Sequence, residues 1–237
     1  MICWLASYPR SGNTMLRTLL TSMFGLETRS IYDEGFGQSP DSMSSALKWK
    51  EQVCDLEAAR LNPQQLLVKT HELPPEHEDA AIYVVRDGRD ALISYAHFLL
   101  HYEPAAVNGL TFLGVLEALI CGELGYGNWS HHVSAWQRRP GPTMLLRYED
   151  LAKRPFERVA FALRQLSIDT APTGAAAPKF EALQSRFPGF FRRGVSGGWR
   201  DEMPSPLVEL FMRLHGETME ACGYETRSQV AAHRRVA

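Results

Sequence analysis

Cysteine is scarce: Cys3, Cys54, Cys121 and Cys222 are scattered through 237 residues, with no C-x-x-C pair. That pattern argues against a disulfide framework and a cysteine zinc site, and it fits a reducing cytoplasm. Long apolar runs are missing too, and none approaches the about 20 residues that a membrane helix needs. The N-terminus has no basic segment, and its first apolar run is too short for a secretory signal. No charge of one sign dominates: 25 Lys and Arg face 27 Asp and Glu, a formal net charge of −2. General attraction to nucleic acid or to an anionic membrane is therefore not expected, and an anion site would need local clustering. Internal repeats and an evident domain boundary are absent as well. The length suits a single domain over 1–237, with a basic tail that frays from about 227. Nothing in the sequence reports an oligomeric state.

The richest stretch is the first. Residues 2–6, Ile-Cys-Trp-Leu-Ala, read as a buried strand. They break into Ser7-Tyr8-Pro9-Arg10-Ser11-Gly12-Asn13-Thr14, and apolar residues at helical spacing follow from Met15. A strand, a tight loop and a helix in that order bring backbone N–H groups and a helix N-terminus to one point, which favours an anion. Against the nucleotide P-loop pattern, Gly12 and Thr14 fit, but Ser7 replaces the first Gly and Asn13 replaces the Lys. The cation sits inside the loop as Arg10, which argues against an ordinary ATPase or kinase. A polar turn that binds nothing is the bland alternative.

Tyr-Pro-Arg-Ser-Gly-Asn-Thr resembles the Tyr-Pro-Lys-Ser-Gly-Asn/Thr-Thr loop of the cytosolic-type sulfotransferases, which use 3′-phosphoadenosine 5′-phosphosulfate (PAPS). The resemblance implies that Arg10, Ser11, Gly12, Asn13, Thr14 and Met15 bind the phosphosulfate end of the donor. Arg10 departs from the family Lys by exchanging a mobile point charge for a planar fork.

Three more short apolar strands are expected at 66–70, 80–85 and 142–147, with helices at 91–101, 112–120, 128–137, 155–166 and 207–222. Residues 27–42 read as a long loop and 42–60 as a surface helix capped by Asp41. Residues 171–178 read as a linker, and 187–200 as an irregular loop. Uniformly apolar strands separated by helices give an α/β, P-loop-like three-layer fold, a central parallel sheet flanked by helices. Ligands of such sheets bind at the carboxyl ends of the strands, where most of the polar motifs fall.

Lys69-Thr70-His71 follows the second of these strands. Histidine is mostly neutral at pH 7 and suits removal of a hydroxyl proton, while Lys69 can stabilise developing negative charge. In the family the Lys-Thr-His segment supplies the catalytic base and a sulfate-contacting Lys. Arg86 and Ser94 span a strand end and the first turns of a helix, so both can meet one phosphate. Val-Arg-Asp-Gly-Arg-Asp-Ala-x-x-Ser-Tyr is similar to the family's 3′-phosphate segment.

Later, Arg192, Arg193 and Gly194 open a glycine-containing loop that resembles the segment closing over the 3′-phosphate and adenine. Trp199 is a candidate to stack on the base, and Gly198 stands where the family has Asp. Tyr148, in Tyr-Glu-Asp-Leu, matches a family Tyr near the nucleotide. His97 and His101 have the i, i+4 spacing of a zinc pair but no third ligand, so no metal is expected and His101 is left as a possible pocket residue. His131 and His132 read as structural, and Trp4 and Phe24 as core.

The motifs occur in family order along nearly the whole chain. The expectation is PAPS-dependent transfer to the hydroxyl of a small-molecule acceptor, with 3′-phosphoadenosine 5′-phosphate (PAP) as product. His71, Lys69 and Arg10 would be the catalytic residues, and no nucleic acid, membrane or metal would take part. Acceptor walls are expected at 31–41 and 98–112, including Tyr32, Phe36 and Tyr102, which suit a small, partly apolar alcohol or phenol. A small-molecule kinase using ATP and a non-catalytic nucleotide-binding protein are the competing readings.

Overall fold

The computed structural model describes residues 1–32, 53–177, 180–186 and 192–226. Phe36, the expected cap at Asp41 and the tail from 227 lie outside them. Five parallel strands form one sheet: β1 Ile2–Ser7, β2 Thr28–Ser30, β3 Leu66–Thr70, β4 Ala80–Val85 and β5 Thr143–Arg147. The strand order is β2-β3-β1-β4-β5.

Every residue of β1 is buried, as expected of a central strand covered on both faces. Its side chains alternate between two cores. Ile2, Trp4 and Ala6 join the layer of α3 (Gly88–Tyr102), α4 (Phe112–Cys121), α5 (Trp129–Arg138) and α10 (Ser205–Ala221). Cys3 and Leu5 join that of α1 (Asn13–Phe24) and α7 (Pro155–Gln165). These are the three expected layers.

Register brings the motifs together. Ala6 pairs with Thr70, Ser7 with Val84, and Val85 with Arg147. The residues that follow these strand ends, Tyr8, His71, Arg86 and Tyr148, therefore leave the sheet along one edge.

Two expectations fail. Part of the supposed loop at 27–42 is strand β2, whose Arg29 pairs with Val68 of β3. Its polar Thr28 and Ser30 are buried at the sheet edge, and Thr28 accepts a hydrogen bond from Arg17 Nε at 3.0 Å, which satisfies both groups. The supposed helix at 42–60 is also interrupted. Val53 bridges to Ser30, and among the described residues of that range, 53–60, the helix is confined to α2 (Leu56–Leu61), capped by Asp55 through the Glu57 and Ala58 N–H groups. Helix α3 begins three residues before the expected start, because the Asp87 carboxylate caps the Arg89 N–H at 3.0 Å. The 171–178 linker is irregular over its described part, 171–177.

Candidate active site

The loop after β1 is shaped by two residues with positive φ, Arg10 at 63° and Gly12 at 108°. Gly12 is required twice over. Its φ is one that side chains rarely adopt, and a Cβ there would lie 2.6 Å from the Tyr148 ring. Helix α1 starts immediately after it with no side-chain cap and no acid in the first turn. Its first intrahelical bond runs from Leu16 N to Gly12 O, which leaves the Asn13, Thr14 and Met15 N–H groups open for an anion. The Asn13 side chain itself turns inward and donates to Leu5 O at 2.8 Å. Ser11 is fully buried, with an unpartnered hydroxyl, and does not line the cleft. From Asn13 the backbone, not the side chain, is what a ligand can reach, while the Ser11 N–H is committed to Tyr8 O at 3.2 Å.

Cations converge on that helix start. Arg86 donates to Arg10 O at 3.1 Å and to Val195 O at 3.0 Å, and its guanidinium lies 4.6 Å from the centre of the Tyr148 ring. Arg10 Nε donates to Ser94 Oγ at 3.3 Å while its guanidinium covers Phe98. Burial, with Arg86 next, lowers the Arg10 pKa to about 10, so it stays charged at neutral pH. Two further donors, Arg86 Nε and Arg192 Nε, are buried without a partner.

His71 lies at the other end of the same cleft. Its Nδ1 is 2.8 Å from Ser7 O, and because a carbonyl only accepts, Nδ1 carries the proton and Nε2 keeps the lone pair. Burial foremost, then the charge of Lys69, holds its pKa well below 6.5, so the ring is neutral. Tyr32 stacks on it and accepts its backbone N–H at 2.7 Å, and Tyr126 meets it edge-on. Lys69 Nζ sits 5.5 Å from the centre of the Tyr32 ring.

His132, fully buried behind it, donates from Nε2 to His71 O at 2.8 Å and accepts from the Tyr83 hydroxyl at 2.9 Å. Trp136 donates to Glu72 O at 3.0 Å. Helix α5 thus clamps the two backbone carbonyls of the base segment. The cleft has a volume of about 570 Å³ and runs from Tyr32, Tyr95, Phe98 and Tyr126 at the His71 end to Arg192 and Arg193 at the other.

A model of the sulfotransferase domain matches residues 3–223. The chain belongs to the sulfotransferase family. Transfer of a sulfuryl group from PAPS is the activity of that family, and this sulfotransferase is an enzyme of that class. It is 26% identical to dog (Canis lupus familiaris) sulfotransferase 1A1 over 208 residues, covering 74% of this chain and 69% of that one. With rat (Rattus norvegicus) sulfotransferase 1A1 it is 24% identical over 264 residues, covering 95% and 87%. Its fold is similar to that of mouse sulfotransferase SULT7A1 complexed with PAP, with a TM-score of 0.69 at 20% identity over 92% of this chain and 84% of that one. Retinol dehydratase in complex with retinol and PAP gives a TM-score of 0.62 at 18% identity, covering 95% and 82%.

Within this sulfotransferase the late loop, 192–198, is docked by a residue that the motifs did not single out. Asp90 accepts the Gly197 N–H at 2.6 Å and the Trp199 N–H at 2.8 Å. Trp199 is not available to stack on a base as expected, because its ring is packed between the guanidiniums of Arg89, at 4.0 Å, and Arg200, at 4.6 Å. Arg192 and Arg193 both donate to Glu202 on the short helix α9 (Trp199–Glu202). Tyr148 donates to Gly194 O at 3.4 Å, linking that loop to the first one.

His101 and Tyr102 are exposed and do not line the cleft, and His97 donates to Glu202 at 2.8 Å. Among the described residues no group of three His, Cys, Asp or Glu side chains could hold a metal ion. Asp90 was missed because it is 107 residues from Gly197, which it holds, and Glu202 because it lies outside the quoted motifs, although only 10 and 9 residues from Arg192 and Arg193. A histidine following a tryptophan on an amphipathic helix, as His132 follows Trp129, was the one legible hint at the support of His71.

Proposed function

We propose that this sulfotransferase transfers the sulfuryl group to the hydroxyl of a small-molecule alcohol or phenol, with His71 as general base. The observation that carries the reading is the fixed tautomer of His71, which presents a neutral Nε2 lone pair in the cleft where the cations converge. Nε2 takes the hydroxyl proton as the acceptor oxygen attacks sulfur. The bond from sulfur to the phosphate oxygen of PAPS breaks in line, and its electron pair stays on that oxygen of PAP. Lys69 and Arg10 stabilise charge on the sulfuryl and bridging oxygens without a proton transfer of their own. Arg10, whose charge acts on both Arg86 and His71, contacts Ser94 through Nε and not through its Nη groups.

The Gly12, Asn13, Thr14 and Met15 backbone, at the start of α1, takes the 5′-phosphosulfate, with Ser11 holding the turn behind it. Arg86, Ser94, Arg192, Arg193 and Gly194 take the 3′-phosphate, and Tyr148 borders the nucleotide. The presence of Arg86, Arg192 and Arg193 together in the cleft lining supports this assignment. The aromatic wall of Tyr32, Tyr95, Phe98 and Tyr126 supports a partly apolar acceptor, and the retinol bound in one structural relative is such an alcohol. A cytoplasmic location accords with four free thiols, three of them buried.

Calorimetry with PAP, 5′-AMP and ATP, without magnesium, tests the donor side. A clear preference for PAP that is lost in Arg86→Ala is expected. Magnesium-dependent ATP binding with no 3′-phosphate preference would replace this reading with a kinase.

A further inference from the structure

Against the arginines of the donor end of the cleft lies a carboxylate that the proposed chemistry does not use. Glu202 takes Arg192 Nη1 on both oxygens, at 2.8 and 2.9 Å. The same carboxylate takes Arg193 Nη1 at 2.8 Å and His97 Nε2 at 2.8 Å. Burial alone would raise its pKa, but the hydrogen bonds from His97, Arg192 and Arg193 outweigh that and hold it at about 2. It is therefore ionised throughout the working range.

Its position has two physical consequences. Arg192 is one of the charges that lower the pKa of buried Arg10, with Arg86 the larger, so guanidiniums crowd this end of the cleft. A fixed anion behind Arg192 and Arg193 offsets that repulsion before any ligand arrives. It also orients the arginine heads, which otherwise sit on a loop with Gly194 and Gly197 in left-handed conformations. Arg192 commits only Nη1 to Glu202, and its Nε remains buried and unpartnered. Arg193 is held from the same side, with Asp201 3.5 Å from its Nη2. No carboxylate comes from position 198, which is Gly, although a Cβ there would lie 3.9 Å from Arg193 Nη1.

We infer that Glu202 is a positioning residue for 3′-phosphate recognition: it holds Arg192 and Arg193 together and leaves their remaining donors directed to the nucleotide. The inference rests on the assignment of that arginine pair to the 3′-phosphate. Glu202 touches neither the reacting atoms nor His71, so its effect falls on donor discrimination and not on the chemical step.

The test compares PAP and 5′-AMP, which differ only in the 3′-phosphate, by calorimetry on wild type, Glu202→Gln and Glu202→Asp. In Glu202→Gln the Kd for PAP should rise about tenfold, while that for 5′-AMP stays within about twofold. The KM for PAPS should rise with it, at a kcat within about twofold of wild type. Glu202→Asp keeps the charge and should recover part of the PAP affinity, and its melting temperature guards against a folding defect in the Gln variant.

Equal losses for both nucleotides would overturn the inference in favour of a general structural role. Tighter PAP binding in Glu202→Gln would overturn it in favour of a carboxylate that competes with the phosphate. If wild type itself shows no preference for PAP, the 3′-phosphate assignment fails and this inference fails with it. If wild type prefers PAP and the ratio is unchanged in Glu202→Gln, only this inference fails.

Discussion

The two ends of the cleft are held by opposite means. At the His71 end the supports are uncharged and serial: Tyr83 donates to His132, His132 to His71 O, and His71 to Ser7 O. The two carbonyls can only accept, so a single tautomer survives at each histidine. At the cationic end the supports are carbonyls and carboxylates: Arg10 O and Val195 O for Arg86, and Glu202 for Arg192 and Arg193. A base must present one lone pair, which calls for a fixed proton. A cluster of guanidiniums must stay charged and crowded, which calls for acceptors that hold each one without taking its proton. Damage at the first end should therefore appear in turnover, and damage at the second in nucleotide affinity.

The sharpest way to break that division is His71→Ala. Turnover should fall by about 10²–10⁴-fold, while calorimetry returns the wild-type Kd for PAP; a matching loss of PAP affinity would erase the distinction between the ends. Gly12→Ala attacks the cationic end through the backbone. The strain of a positive φ, of about 1–3 kcal/mol, adds to the clash with Tyr148, so thermal stability and PAP affinity should drop together. Unchanged melting and binding would show that the loop does not need its glycine.

His132→Asn probes the base end at one remove. A displaced His71 carbonyl should lower kcat by about ten- to a hundredfold, with KM for PAPS nearly constant. His132 carries a pH signature as well, because burial holds its pKa at about 4. Its folded pKa lies below the ordinary 6.5, so the ring is neutral when folded. The stability it contributes is present above pH 6.5 and is lost as the pH falls towards 4, about 3 kcal/mol in all. Urea melts between pH 7 and 4 should show a shallower acid loss in the variant.

The smallest effect on the proposed base itself belongs to Lys69→Met, beside the loss of turnover that follows from its charge stabilisation. Removing that cation should raise the His71 pKa, so the acid limb of kcat/KM, which lies below pH 6.5 in wild type, moves up towards it. A limb that stays in place or moves down would mean that Lys69 does not act on the base.

The chain itself showed most of the sheet and both motif-bearing ends. Strands β1, β3, β4 and β5 are short apolar runs, and Lys69, His71, Arg86 and Tyr148 sit at or just past their ends. Strand β2 was illegible because Thr-Arg-Ser carries no apolar signal, and its pairing with β3 is what makes it a strand. The supposed helix at 42–60 is interrupted in its described part, 53–60, for a related reason. Helical composition did not reveal that Val53 would pair with Ser30. Asn13 and Trp199 were legible as site residues by type, but their side chains went elsewhere, one into the β1 backbone and the other between two arginines.

Local chemistry determined the loop after β1, since Arg10-Ser11-Gly12 ahead of an uncapped helix brings a cation and open backbone N–H groups together from neighbours in sequence. It also determined the candidate base, the candidate cations and the three-layer arrangement, because apolar periodicity is a property of adjacent residues. Tertiary structure alone decided the tautomer of His71, the docking of the late loop on Asp90 and the gathering of two arginines by Glu202. The first two depend on contacts between residues 64 and 107 apart in sequence, and the third on an irregular loop folding back onto the short helix that follows it; none leaves a periodic trace. A pairing of that kind is set by the register of the sheet and the packing of helices across it, which exist only once the chain has folded.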